Sequence, residues 1–277
     1  MDVELTRRQE RMIQGRLPKG NRARTEEAEL TRSVLRKLLA HMLLHARALF
    51  LLLASSGIRI GEALQLRLSD IDLDKDPAIV KVRGEYTKTG DAYYSFISKE
   101  AKEVLEEWLK QRDKYLEAAL NRGKGLAKLG RGMKQAEDDR LFPFSVKVAN
   151  QIWIRALRKA GLEERDPSTK RRTLHIHMLR KFFQSQLKYA GVPEDIVEAL
   201  IGHRGYLDEA YRRYTKQQII EWYQKGEPYL LINVPREITE IQTHFQNEVE
   251  ELKRRVEDLT RKLTDANSIA LQQMNMN

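Results

Sequence analysis

Two tyrosines one helical turn apart, Tyr211 and Tyr214, stand among arginines in the stretch "IGHRGYLDEAYRRYT". A core tyrosine wants apolar neighbours and one hydrogen-bond partner, whereas a phenol among cations, downstream of Gly202-His203, is a candidate nucleophile. Four other groups could serve such a nucleophile. In "HIHMLRKFF", His177 and Arg180 are i and i+3, so a helix puts both on one face, a pairing suited to an anion with a nearby proton to move. His203 follows a helix that runs from Pro193 to a Gly202 stop, where an imidazole can donate to an oxyanion. In "SSGIRIGEAL", Arg59 emerges from a very apolar run, where an unpaired charge costs several kcal/mol. Glu62, three residues on, can hold that guanidinium while its other N–H groups point outward. Lys88 lies in the turn of an expected hairpin, placed either in solvent or, against a groove, to protonate a leaving oxygen. Each group also has an ordinary reading, as a structural ion pair or part of a solvated face.

The 277 residues suffice for one large domain or two small ones. Lys and Arg number 50 against 40 Asp and Glu, a net charge of +10 that favours polyanionic partners, nucleic acid first. The absence of cysteine excludes disulfides and cysteine-based metal sites. The most apolar run, "LLHARALFLLLASSG", is broken by His45 and Arg47 and is too short to span a bilayer, and the polar, basic start does not resemble a signal peptide.

The elements that must position these groups follow from periodicity. Residues 1–23 are expected to be a basic arm or linker remnant. Val34, Leu35, Leu38, Leu39, Met42 and Leu43 have helical spacing, and "LFLLLASSG" is expected as a buried helix continued through "RIGEALQL". "AIVKVRGEYTKTGDAYYSFIS" alternates as a β-hairpin around Thr-Lys-Thr-Gly-Asp. A helix at 99–118 precedes a Gly- and Lys-rich segment at 121–135, expected as a mobile basic loop. Further helices are expected at 147–160, 177–190, 194–201 and 207–225. From Ile238 to Leu263 the apolar residues follow a near-heptad seam, which predicts a helix or coiled coil over 236–270.

In order, "GIRIGEAL", "TKTG", "HMLR", "LIGH" and a downstream "YT" resemble the catalytic domain of tyrosine recombinases, the phage integrase family. The likeness covers about residues 31–223, and the texture is similar to archaeal mobile-element integrases and transposases. It implies a mainly α-helical domain with a small antiparallel β-sheet over 24–232. It also implies a tyrosine that attacks a DNA phosphodiester, stores the bond as a 3′-phosphotyrosine and needs neither metal nor cofactor. On that likeness Arg59 and Arg180 clamp the non-bridging oxygens, Lys88 is the general acid, and His177 accepts the tyrosine proton. His203 donates to the phosphate, and Glu62 orients. The usual spacing from the second histidine falls on Arg212. Tyr214, followed by Thr215, is therefore expected as the nucleophile, with Tyr211 the alternative and Tyr206 a packing residue. The implied partners are double-stranded DNA and further copies of the chain, a tetramer on paired sites with the C-terminal helix contributing, at the nucleoid and away from membranes. Family members also carry a helical core-binding domain, which the short N-terminal arm does not supply, so the chain either dispenses with one or is a fragment. Two rival expectations remain: DNA relaxation of the type IB topoisomerase kind, and a non-catalytic helix-turn-helix made of 177–190 and 194–201.

Overall fold

The computed structural model describes residues 25–127, 138–203, 213–233, 252–256 and 258–261. Helix α1 (Arg32–Ala40) starts at Thr31, whose hydroxyl oxygen accepts from the Val34 amide, and turns Leu35, Leu38 and Leu39 inward. Helix α2 (Leu44–Ser56) has no polar stripe, and every side chain from Ala48 to Ser56 is buried. It is the central helix of the domain, packed against α4 (Lys99–Ala127), α6 (Met178–Tyr189) and the sheet. Each Leu or Phe taken fully out of water here contributes about 1.5–3 kcal/mol. His45 is absorbed into this packing, its ring 5.2 Å from Tyr115 and 5.6 Å from Phe144. Phe50 meets Trp153 of α5 (Val146–Lys159) at 5.2 Å.

The end of α2 decides where the chain goes next. The Ser55 and Ser56 hydroxyls donate back to Leu51 O and Leu52 O, and Gly57 closes the helix at a φ of +66°. A Cβ there would lie 2.4 Å from Phe183 and 2.7 Å from Ile201, so glycine permits both the turn and the close approach. Helix α3 (Ile60–Ala63) is a single turn, shorter than the helix expected through "RIGEALQL", and a 3-10 turn at Leu68–Asp70 follows.

Three antiparallel strands, β1 (Ile71–Asp72), β2 (Ala78–Val82) and β3 (Tyr93–Ile97), lie in that order, with Ile71 opposite Val80 and Val82 opposite Tyr93. The expected hairpin is β2–β3, but its connection is the whole of 83–92 rather than a tight turn. Buried Asp70 anchors the near side of that loop, accepting from Arg67 N at 2.9 Å, Arg83 Nε at 2.6 Å and the Tyr86 hydroxyl at 3.0 Å. The two sides also touch: a Cβ on Gly84 would lie 2.1 Å from Gly90 O, and the Gly90 amide donates to Thr87 Oγ1 at 3.0 Å.

Helix α4 runs past its expected end to Ala127, because Ala118-Ala119-Leu120 carry strong helix propensity into the Gly- and Lys-rich segment. The start of the expected basic loop is thus helical, and its remainder lies outside the described residues. Helix α6 packs on α7 (Glu194–Leu200) and on α8 (Lys216–Leu230), which continues beyond its expected end. Tyr223 of α8 donates to Ser55 O at 2.8 Å, and its ring packs tilted against Phe96 at 5.1 Å between centroids. The chain divides at residue 231 into two units. In the second, 252–256 and 258–261 are helical with Leu252, Val256 and Leu259 exposed; the other seam positions lie outside the described residues. Among the described residues no helix is long and apolar enough to cross a membrane.

Candidate active site

Arg180 stands in the first turn of α6 and is only 5% exposed. Its Nη1 donates to Gly57 O at 2.9 Å and its Nη2 to Ile201 O at 2.8 Å. Those carbonyls cap the C-terminal ends of α2 and α7, where helix dipoles favour a cation. Burial, then the neighbouring Arg59, hold the guanidinium below its ordinary value, while Tyr93 and Glu62 act the other way. One buried fork thereby ties three helices together at the base of the site.

Arg59 is held from its own turn. Its Nη1 donates to Glu62 Oε1 at 2.8 Å, and its backbone amide donates to Glu62 Oε2 at 2.9 Å. The pair is the one expected from the i, i+3 spacing. Tyr93 was not foreseen: its hydroxyl donates to Glu62 Oε2 at 2.7 Å from β3. Burial first, then the Glu62 charge, push that phenol well above its ordinary value, so it remains a donor. Buried Glu62 therefore has both oxygens engaged, and a third of the Arg59 side chain stays accessible, 37% against 2% for Glu62.

Arg59, Glu62, Lys88, His177 and Arg180 all line one cleft of about 360 Å³, with Gln65 and Tyr86 completing its polar wall and Leu53, Ile58, Ile60 and Leu179 among its apolar residues. Lys88 reaches the cleft as an exposed side chain from the 83–92 loop. His177 sits at the N-cap of α6 rather than within it, three residues before Arg180. Loss of surrounding water first, then the Arg180 charge, lower its imidazole below the ordinary value. The neutral ring, which can accept a proton, is thus the favoured form at neutral pH.

His203 is not part of the cleft wall. The end of α7 places it: the Gly202 amide donates to Ala199 O at 2.9 Å, and the His203 amide donates to Glu198 O at 3.0 Å. That pattern is a Schellman ending with glycine left-handed at a φ of +72°. A Cβ on Gly202 would lie 2.3 Å from the Tyr93 ring, so the loop packs directly on the residue that holds Glu62. Tyr214 is half-buried just before α8, and its neighbour Arg213 meets Asp195 of α7 at 3.4 Å; Tyr214 is likewise not among the cleft residues. Tyr211 lies outside the described residues.

Residues 28–219 match the model of the phage integrase family. The chain belongs to that family. It is similar to the tyrosine recombinase XerC of Pseudomonas aeruginosa, 30% identical over 66% of this chain and 52% of that protein. It is also similar to a probable integrase/recombinase protein of Methanocaldococcus jannaschii, 27% identical over 69% of this chain and 53% of that one. The chain thus spans about half the length of these curated relatives. A solved integrase from mycobacterium phage Brujita aligns with a TM-score of 0.50 at 17% identity, over 79% of this chain and 63% of that chain. The likeness bears out the mainly helical fold with its small antiparallel sheet.

Within this phage integrase domain, sequence reasoning missed two tyrosines that act across long separations and one nearby glutamate. Tyr93 and Tyr86 carried no signal beyond the inward alternation of β3 and the aromatic content of the hairpin. Glu198 read only as one more polar position in a short helix, yet its carboxylate contacts His203.

Proposed function

We propose that this chain cuts and rejoins duplex DNA through a 3′-phosphotyrosine. The observation that carries the reading is the meeting of two guanidiniums, an amine and an imidazole in one cleft, drawn from α3, α6 and the 83–92 loop. Arg59 and Arg180 are two fixed cations at the spot where a pentavalent phosphorus would gather charge on its non-bridging oxygens. The Tyr214 phenol, with Tyr211 as the alternative, attacks phosphorus and gives its proton to His177. The bond from phosphorus to the 5′ oxygen breaks, Lys88 protonates that oxygen, and His203 donates to a phosphate oxygen. The reverse sequence, with the 5′ hydroxyl of another strand, restores the backbone without an external energy source. Exchange between two duplexes needs more than one active site, so we also assign the working form to a homo-oligomer, a tetramer on paired sites.

The test uses nicked suicide duplexes tiled across the DNA flanking the coding sequence, resolved on denaturing gels in EDTA. Cleavage frees a short fragment, so the covalent adduct accumulates. An adduct formed by wild type and by Tyr211→Phe but not by Tyr214→Phe is the expected result. Loss in Tyr211→Phe alone keeps the chemistry and moves the nucleophile by one turn. Wild-type protein that binds these duplexes and forms no adduct refutes strand transfer and favours a DNA-binding module.

A further inference from the structure

A buried carboxylate at the C-terminal end of a helix is placed against the helix dipole, and Glu198 of α7 is such a group: its side chain is 8% exposed. A glutamine would pack there with no charge to desolvate. The acid instead grips one residue at both ends. Its backbone carbonyl takes the His203 amide at 3.0 Å, and its Oε2 pairs with His203 Nδ1. Its Oε1 accepts from Gln184 Nε2 at 3.0 Å, and Lys188 Nζ lies 3.6 Å from the same oxygen. Arg180, Gln184 and Lys188 are spaced by four along α6, so one stripe of that helix holds Ile201 O and the Glu198 carboxylate together. Lys188, which also pairs with Glu194 at 2.6 Å, is the other charged group whose pairing reaches this carboxylate among the described residues.

We infer that Glu198 is a positioning residue for His203, fixing its imidazole so that Nε2 serves the scissile phosphate in register with Arg180; this rests on the strand-transfer reading above. With Nδ1 held by the carboxylate, Nε2 is the ring atom left to face a phosphate. The role is one of orientation, as when a carboxylate behind a metal-bound histidine sets the ring's direction.

The experiment is a double-mutant cycle on single-turnover adduct formation, with Glu198→Gln, His203→Ala and the pair, each checked for melting temperature and for DNA binding. Glu198→Gln is expected to slow cleavage about tenfold with binding unchanged. In the His203→Ala background it should cost nothing further. The same loss in both backgrounds means a structural role and overturns the inference, as does a wild-type rate for Glu198→Gln beside a slow His203→Ala. A wild-type rate for His203→Ala removes His203 from the mechanism, and the inference falls with it. Should Glu198→Gln melt below the assay temperature, the cycle is run with Gln184→Ala, which loosens the carboxylate without removing it. That change must then be slow alone and silent beside His203→Ala.

Discussion

Arg180 and Lys88 line the same cleft, yet the protein treats the two cations in opposite ways. Arg180 is 5% exposed and commits two donors to the carbonyls of Gly57 and Ile201, whereas Lys88 stands in water on a loop. The guanidinium to which the proposed reaction gives the phosphate is built into the helix framework, where its position would cost no reorganisation during the reaction. The amine to which the proposed reaction gives proton delivery is left outside, on an exposed loop. The difference teaches that, on the proposed reaction, stability and chemistry are fused at the first position and separable at the second.

The sharpest way to break this contrast is Arg180→Lys. An ammonium cannot span both carbonyls as a fork does. Each orphaned buried carbonyl costs about 1–3 kcal/mol, so stability in urea should fall by roughly that amount for each carbonyl lost, and adduct formation by about a hundred- to a thousandfold. Unchanged stability would show that the two carbonyl contacts hold nothing together. Lys88→Ala is the converse: unfolding should stay within about 0.5 kcal/mol of wild type while cleavage slows by roughly 10²–10⁴. On a substrate with sulfur in place of the scissile 5′ oxygen, whose thiolate leaves without an acid, the rate should return. An equal loss on both substrates would remove Lys88 from the acid role. The smallest effect concerns pH. In the proposed reaction neutral His177 accepts the tyrosine proton, and burial and Arg180 hold its titration below the ordinary imidazole value of about 6.5. The cleavage rate should therefore rise with pH through that lowered value and be flat across neutrality, and His177→Gln should erase the acid limb. A limb above pH 7 in wild type would contradict the local electrostatics.

The same contrast marks what could be read from the sequence. Arg59 with Glu62 and the Gly202 stop are local patterns, set by spacings within one or two turns, and both stand in the structure as expected. The uninterrupted apolar run announced α2 as the core helix. Arg180 and Gly57 are 123 residues apart and Glu62 and Tyr93 are 31 apart, so nothing local announces either contact. β1 escaped notice because two residues, Ile71 and Asp72, make too short a period. The extra length of α4 was hidden by Gly and Lys that a preceding run of helix formers overrides.

The loop that carries Lys88 has a closed base, clamped by Asp70 on one side and pinched between Gly84 and Gly90, with the lysine beyond it. The amine is a tethered reagent. In the proposed reaction its short tether holds it near the leaving oxygen at an effective concentration far above that of a dissolved amine. On that reading, small differences in the path of a bound strand would alter how often the acid arrives rather than whether it fits, and the cleavage rate would report DNA trajectory.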